Sequence, residues 1–124
     1  LKTKNQIEFM STSYLRGTTL DNCIIIVDEA QNLTFHELDS IITRVGLESQ
    51  IVFCGDTSQT DLDKPWDQCG LDQFMTILNH VDDFKKVEFS YDDIVRSGLV
   101  RNYIIAKDGY LSEQLHTSAS TRYN

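Results

Sequence analysis

The most apolar run in the chain, Cys23-Ile24-Ile25-Ile26-Val27, is short, unbroken and mostly β-branched, and it stops at Asp28. That pattern predicts a strand buried on both faces, as at the centre of a parallel sheet. Gln50-Ile51-Val52-Phe53-Cys54 has the same character and stops at Gly55-Asp56. Between them, Thr34-Phe35-His36-Glu37 has the Thr and Glu of a capping box. Leu38, Ile41, Ile42 and Val45 then follow the i, i+3, i+4, i+7 spacing of one buried helix face, and Gly46 suits a left-handed C-terminal cap. Strand, helix and strand in this order predict a βαβ unit. Its crossover puts both strand exits on one edge, so Asp28 and Asp56 are expected side by side.

Leu71, Phe74, Met75 and Leu78 repeat the helical spacing, and Val87 and Phe89 alternate with Lys86 and Glu88 as in a shorter strand. Ser97 can cap a last helix carrying Leu99, Val100, Tyr103 and Ile104. Gln6 to Met10 alternate as a further strand ahead of a long loop from Ser11 to Asn22. The single proline, Pro65, sits in a polar loop from Thr57 to Gln68. The expected class is α/β, a parallel sheet with flanking helices. Residues 1–110 form its core, and from Leu111 onward a polar tail of doubtful order, 111–124, carries Ser112, Ser118 and Ser120.

At 124 residues the chain is one domain or part of one, which excludes two independent catalytic domains. Its 11 basic and 19 acidic side chains leave a net charge of −8. That is opposite to a surface built to neutralise phosphates, so any nucleic-acid contact must be local. No apolar run approaches the roughly 20 residues needed to cross a bilayer, so no membrane partner is expected. No secretory leader opens the chain and Leu1 is not an initiator methionine, which suggests an excised or processed segment. Cys23, Cys54 and Cys69 are odd in number and without a Cys-x-x-Cys pair, which points to a reducing compartment with the thiols packed in the core. His36, His80 and His116 share no metal-ligand spacing.

In open α/β sheets ligands bind outside the carboxyl ends of the strands, where Asp28, Glu29 and Asp56 are expected. Asp28, leaving a dry strand, can accept hydrogen bonds from water bound to Mg²⁺, an ion that keeps several waters. Glu29 can orient or deprotonate an attacking water. An apolar strand followed by Asp-Glu is the Walker B logic of phosphate-transferring enzymes, though many strand exits satisfy it by chance. Gly55-Asp56-Thr57-Ser58-Gln59 adds a flexible turn, hydroxyls and an amide. Gln59 could donate to a phosphate oxygen while accepting from the attacking water; by itself the segment reads equally as a turn bonded to its own backbone. Arg96, just ahead of the last helix, and Arg16, in Tyr14-Leu15-Arg16-Gly17-Thr18-Thr19, are candidate transition-state cations, each set against the plainer reading of a solvated arginine. Arg101 falls inside the last helix, where a surface ion pair is the default.

Taken together, Tyr14-Leu15-Arg16-Gly17-Thr18-Thr19-Leu20, Ile24-Ile25-Ile26-Val27-Asp28-Glu29-Ala30-Gln31-Asn32, Gly55-Asp56-Thr57-Ser58-Gln59-Thr60-Asp61 and Asp93-Ile94-Val95-Arg96 resemble the PhoH family of P-loop ATPases, from about Ile7 to Asp108. Val95-Arg96-Ser97-Gly98 has a phage-type character. The family is similar to superfamily-one helicases, whose Asp-Glu-Ala-x and Gly-Asp-x-x-Gln motifs match Asp28 to Gln31 and Gly55 to Gln59. The resemblance implies a partial P-loop NTPase fold with ATP and Mg²⁺ as ligands. By it Asp28 holds the metal through water, Glu29 activates the nucleophilic water, Gln59 senses the γ-phosphate and Arg96 stabilises transferring charge. Gln31, Gly55, Asp56 and Arg16 then fall around the nucleotide. It further implies a cytoplasmic ATPase of a kind sometimes coupled to RNA handling, sometimes induced by phosphate starvation, and able to assemble as a homo-oligomeric ring.

One departure stands against these matches. The six glycines, at 17, 46, 55, 70, 98 and 109, include no Gly-Lys pair, so Gly-x-x-x-x-Gly-Lys-Ser/Thr is absent. An upstream N-terminal half or a partner chain is expected to carry that phosphate cradle. Three further classes need no P-loop. One is a Mg²⁺-dependent phosphohydrolase or nuclease with Asp28, Glu29 and Asp56 as direct ligands, which leaves Gln59 unexplained. Another is a receiver domain with Asp28 or Asp56 as phosphoacceptor, which lacks an evident lysine. The last is a non-catalytic interaction module in which Lys2, Lys4 and Arg16 touch a phosphodiester backbone, against the −8 charge. The missing cradle sets the first expectation: with Mg²⁺ present, this chain alone binds ATP more weakly than micromolar and shows little ATPase activity. Calorimetric titration checks it, and micromolar affinity would contradict it.

Overall fold

The structure is a computed structural model that describes residues 7–15, 17–57 and 70–121. The chain forms two compact units, Leu1–Phe84 and Lys85–Asn124. In the first unit, strand β1 is Ile24–Val27, helix α1 is Phe35–Ile42, strand β2 is Gln50–Phe53 and helix α2 is Gly70–Leu78. β1 and β2 pair in parallel, with Ile24 opposite Gln50 and Val27 opposite Phe53. The expected βαβ unit is therefore present, and the class is α/β.

Local chemistry explains why α1 begins where it does. Thr34 Oγ1 accepts the Glu37 N–H at 3.2 Å while Glu37 Oε2 accepts the Thr34 N–H at 2.8 Å, completing the capping box read from the sequence. Leu38 and Ile41 turn inward from α1 and meet Leu71, Phe74 and Leu78 of α2, with Leu15, Val27 and Ala30 closing the core. Phe53 meets Phe74 edge to face, ring centroids 5.0 Å apart.

Gly46 does not cap α1 in a left-handed conformation. The helix ends at Ile42 with Thr43 as its cap, and Val45 has left the helix to form a parallel bridge with Leu20. What Gly46 supplies is room: a Cβ there would lie 1.8 Å from Asp21 Oδ1, an atom already held by the Leu47 N–H at 2.8 Å.

The sheet also differs from expectation. Ile25, Val27, Ile51 and Phe53 face the core, but Ile24 and Ile26 on the opposite face are 69% and 68% exposed, and Val52 is 48% exposed. Both helices of this unit contribute to the core on the Ile25 side, so among the described residues of this unit nothing covers the other face. Residues 7–10 form no strand, and their apolar side chains are exposed. Gln6 and the loop from Ser58 to Gln68, with Pro65, lie outside the described residues.

In the second unit, α3 spans Gly98–Thr121. Ser97 Oγ accepts the Val100 N–H at 3.5 Å, a long bond at the expected cap position. The helix passes without interruption through Leu111, where the polar tail of doubtful order was expected. The strand expected at Val87 and Phe89 does not form. Both side chains are about four-fifths exposed, Lys86 pairs with Glu88 at 3.5 Å, and the segment finds no neighbouring strand among the described residues to take its backbone hydrogen bonds. Arg101 makes the surface ion pair expected of it, to Asp92 at 3.4 Å. Tyr91 Oη donates to Asp108 at 3.0 Å, and this bond, followed by desolvation and the carboxylate's charge, raises the phenol above its ordinary pKa of 10.0. Among the described residues no helix is long and apolar enough to cross a membrane.

The core makes a quantitative expectation. Leu38 is fully buried, so Leu38→Ala should cost about 2–5 kcal/mol. Leu47→Ala, at a position 81% exposed, should cost under about 0.5 kcal/mol. Denaturant unfolding of the two variants measures both, and equal losses would mean the core is elsewhere.

Candidate functional site

The parallel register brings the chain out of both strands on the same side, and the two exits line one shallow, open depression of about 210 Å³, formed by Asp28, Glu29, Gln31, Cys54, Gly55 and Asp56. Five of these six side chains or backbones were picked out from the sequence. Cys54 was not: it was expected in the core, yet it is exposed, because β2 ends at Phe53 and the next residue has already passed the strand tip. Its place immediately before Gly55-Asp56 was the signal to use.

After β1 the chain turns sharply. Glu29 adopts a left-handed backbone (φ 52°, ψ 41°), uncommon for a residue with a side chain, and a 3₁₀ turn follows at Ala30–Asn32. Three bonds hold the bend. Asp28 Oδ1 accepts the Glu29 N–H at 2.9 Å, Cys54 O accepts the Ala30 N–H at 2.9 Å, and Glu29 O accepts the Asn32 N–H at 2.9 Å. Ala30 is completely buried, so the turn is anchored in the core while Asp28 and Glu29 on its outer side stay exposed.

Gln31 reaches both exits. Its Nε2 donates to Glu29 Oε2, and its Oε1 accepts the Asp56 N–H at 3.1 Å. Gly55 makes this possible by having no side chain: a Cβ there would lie 3.1 Å from Gln31 Oε1 and 3.2 Å from Leu71 Cδ2.

Asp28 keeps one oxygen without a hydrogen bond among the described residues, so it could accept from a water bound to a hydrated cation. No group of three or more His, Cys, Asp or Glu among the described residues could hold a metal ion directly. The reading with Asp28, Glu29 and Asp56 as three direct ligands therefore gains no support.

Of the other expected site residues, Gln59 and Arg16 lie outside the described residues. Arg96 belongs to the second compact unit, where it is exposed and makes no ion pair among the described residues.

Comparison with known proteins bears on the whole arrangement. A family model described as PhoH-like protein matches residues 1–108. The chain is 35% identical to a PhoH-like protein of Mycobacterium leprae over 122 residues, 98% of this chain and 35% of that one. It is 38% identical to PhoH-like proteins of Synechocystis over 106 residues and of Bacillus subtilis over 102 residues, covering 86% and 82% of this chain and 32% of each relative. The chain thus spans about a third of the length of these curated relatives. The exits of β1 and β2, with Asp28-Glu29-Ala30-Gln31 on one and Gly55-Asp56 on the other, lie within the matched residues, and the chain belongs to the PhoH-like family.

Proposed function

We propose that this chain supplies the magnesium-holding and water-activating edge of a P-loop ATPase of the PhoH type, with ATP and Mg²⁺ as ligands. The observation that carries this is the shared depression, in which Asp28 and Glu29 leave one parallel strand beside Gly55 and Asp56 leaving the next. In this reading Asp28 would hold Mg²⁺ through the ion's bound waters, by accepting hydrogen bonds from them. Glu29 takes a proton from the attacking water, and the backbone at Gly55 and Asp56 approaches the terminal phosphate. The metal contributes neutralisation of charge on the phosphate oxygens. Gln59 as γ-phosphate sensor, and Arg96 and Arg16 as cations, belong to the same proposal on their sequence motifs.

A further feature supports a site completed from elsewhere. Parallel sheets are found almost only with both faces covered, yet Ile24, Ile26 and Val52 form an uncovered apolar face here. We assign that face to a P-loop-bearing segment, whose Gly-Lys motif this chain does not contain. The relatives are about three times as long as the matched region, which leaves room for one. A cytoplasmic location, ring assembly, coupling to RNA and a link to phosphate starvation are parts of the proposal that rest on the family resemblance.

The test uses the chain joined to a P-loop-bearing segment. Glu29→Gln should leave Mg²⁺–ATP affinity within a few-fold of the parent while lowering turnover by about 10²–10⁴-fold, the usual contribution of a general base. Asp28→Asn should weaken the Mg²⁺ dependence of nucleotide binding. Steady-state hydrolysis and calorimetry measure these, and undiminished turnover in Glu29→Gln would remove Glu29 from the chemistry.

A further inference from the structure

A left-handed backbone on a residue with a side chain costs of order 1 kcal/mol and persists only where its surroundings impose it. Glu29 is in that state, and it is exposed. An untethered glutamate of this kind samples many rotamers, and a general base has to be held within hydrogen-bond reach of the water it deprotonates. Gln31 is the side chain placed to hold it. Its amide nitrogen donates to the Glu29 carboxylate and its amide oxygen accepts the Asp56 N–H, so a single planar group joins the end of β1 to the loop leaving β2. The tether is stiff at both ends, because the Gln31 backbone lies in a turn whose Ala30 N–H is bonded to Cys54 O.

We infer that Gln31 is a positioning residue: its amide holds the Glu29 carboxylate in place against the backbone of Asp56, coupling the orientation of the water-activating group to the loop that follows β2. This rests on the ATPase reading for its purpose, and it changes the part expected of Gln31, from a nucleotide contact to a link between protein groups. Only an amide meets both demands at once, since the carboxylate needs a donor and the Asp56 N–H needs an acceptor. Gly55 is part of the same device. An added methyl would press on the Gln31 amide oxygen from 3.1 Å, with Leu71 behind it at 3.2 Å, and would force the amide to move.

Nuclear magnetic resonance of this chain tests the inference through the hydrogen bonds themselves. In Gln31→Leu, the Asp56 amide should exchange with solvent roughly 2- to 10-fold faster, the range set by losing one ordinary hydrogen bond. The Ala30 amide, bonded to Cys54 O, should keep its parent rate. Gln31→Glu combined with Glu29→Gln swaps donor and acceptor and keeps an oxygen for the Asp56 N–H, so the pair should return the Asp56 rate to within about twofold of the parent, a rescue that general packing would not give. Glu29→Ala should move the side-chain amide resonances of Gln31, and Gly55→Ala should move both these and the Asp56 amide, which provides a second route should Gln31→Leu fold poorly. An unchanged Asp56 rate in Gln31→Leu overturns the inference. So does equal acceleration at Ala30 and Asp56, which would make Gln31 merely part of the packing, and so do Gln31 amide resonances indifferent to Glu29→Ala. These readouts need no nucleotide. Loss of the ATPase reading would show as absent turnover in the chain joined to a P-loop-bearing segment, with the hydrogen bonds intact.

Discussion

Because Ile24 to Val27 pair in parallel with Gln50 to Phe53, both strands leave the sheet at the same edge, and every chemical feature of the first unit follows from that register. An antiparallel pair would place one exit at each end and separate Asp28 from Asp56 by the length of a strand, roughly 13 Å at 3.3 Å per residue. The parallel arrangement requires a crossover, and α1 is that crossover. Its capping box starts it, and Leu38 and Ile41 hold it on the sheet face that carries Ile25 and Val27. The entrance end is tied separately, through the Leu20 to Val45 bridge and the Asp21 carboxylate on the Leu47 N–H. With one end tied and the helix packed, the exit end is the place where the chain can leave its regular geometry, and it does so at Glu29.

Among the described residues of the first unit, the same sheet is packed on one face only. On the covered side, Phe53 against Phe74 and the buried leucines form an ordinary core. On the other, two isoleucines and a valine remain in contact with solvent. Exposed apolar patches of this kind mark places where something binds, and on a parallel strand the physical requirement is specific: a further layer of chain with its own apolar face. A core packed on one side of the sheet and a chain of about a third of the relatives' length are consistent with each other.

Much of this was legible in the residues. The two β-branched runs, the capping box and the leucine and phenylalanine spacing of α1 and α2 are local signals, and local signals survived into the structure. The adjacency of Asp28 and Asp56 was legible as well, because handedness and parallel pairing leave few alternatives. Where the reading went astray, long-range context decided. The isoleucine run predicts burial on both faces, but a run of residues cannot say which chain supplies the second layer. Val87 and Phe89 have the alternation of a strand without a partner to pair with. Gly46 carries the composition of a cap, whereas its actual role, making room for Asp21, depends on a residue twenty-five positions away in the chain. Glu29's left-handed backbone and the two-ended reach of Gln31 leave no mark in periodicity or composition, since both arise from where the second strand's exit loop passes.

The central claim is that the exits of β1 and β2 form one magnesium–nucleotide site. Paramagnetic broadening by Mn²⁺–ATP, recorded on the isotope-labelled chain joined to a P-loop-bearing segment, tests it most directly. The account predicts that amide signals of residues 28–31 and 54–57 broaden first, while those of residues 43–49, at the opposite end of the strands, stay sharp. Broadening centred on 43–49, or spread evenly over the first unit, would contradict it.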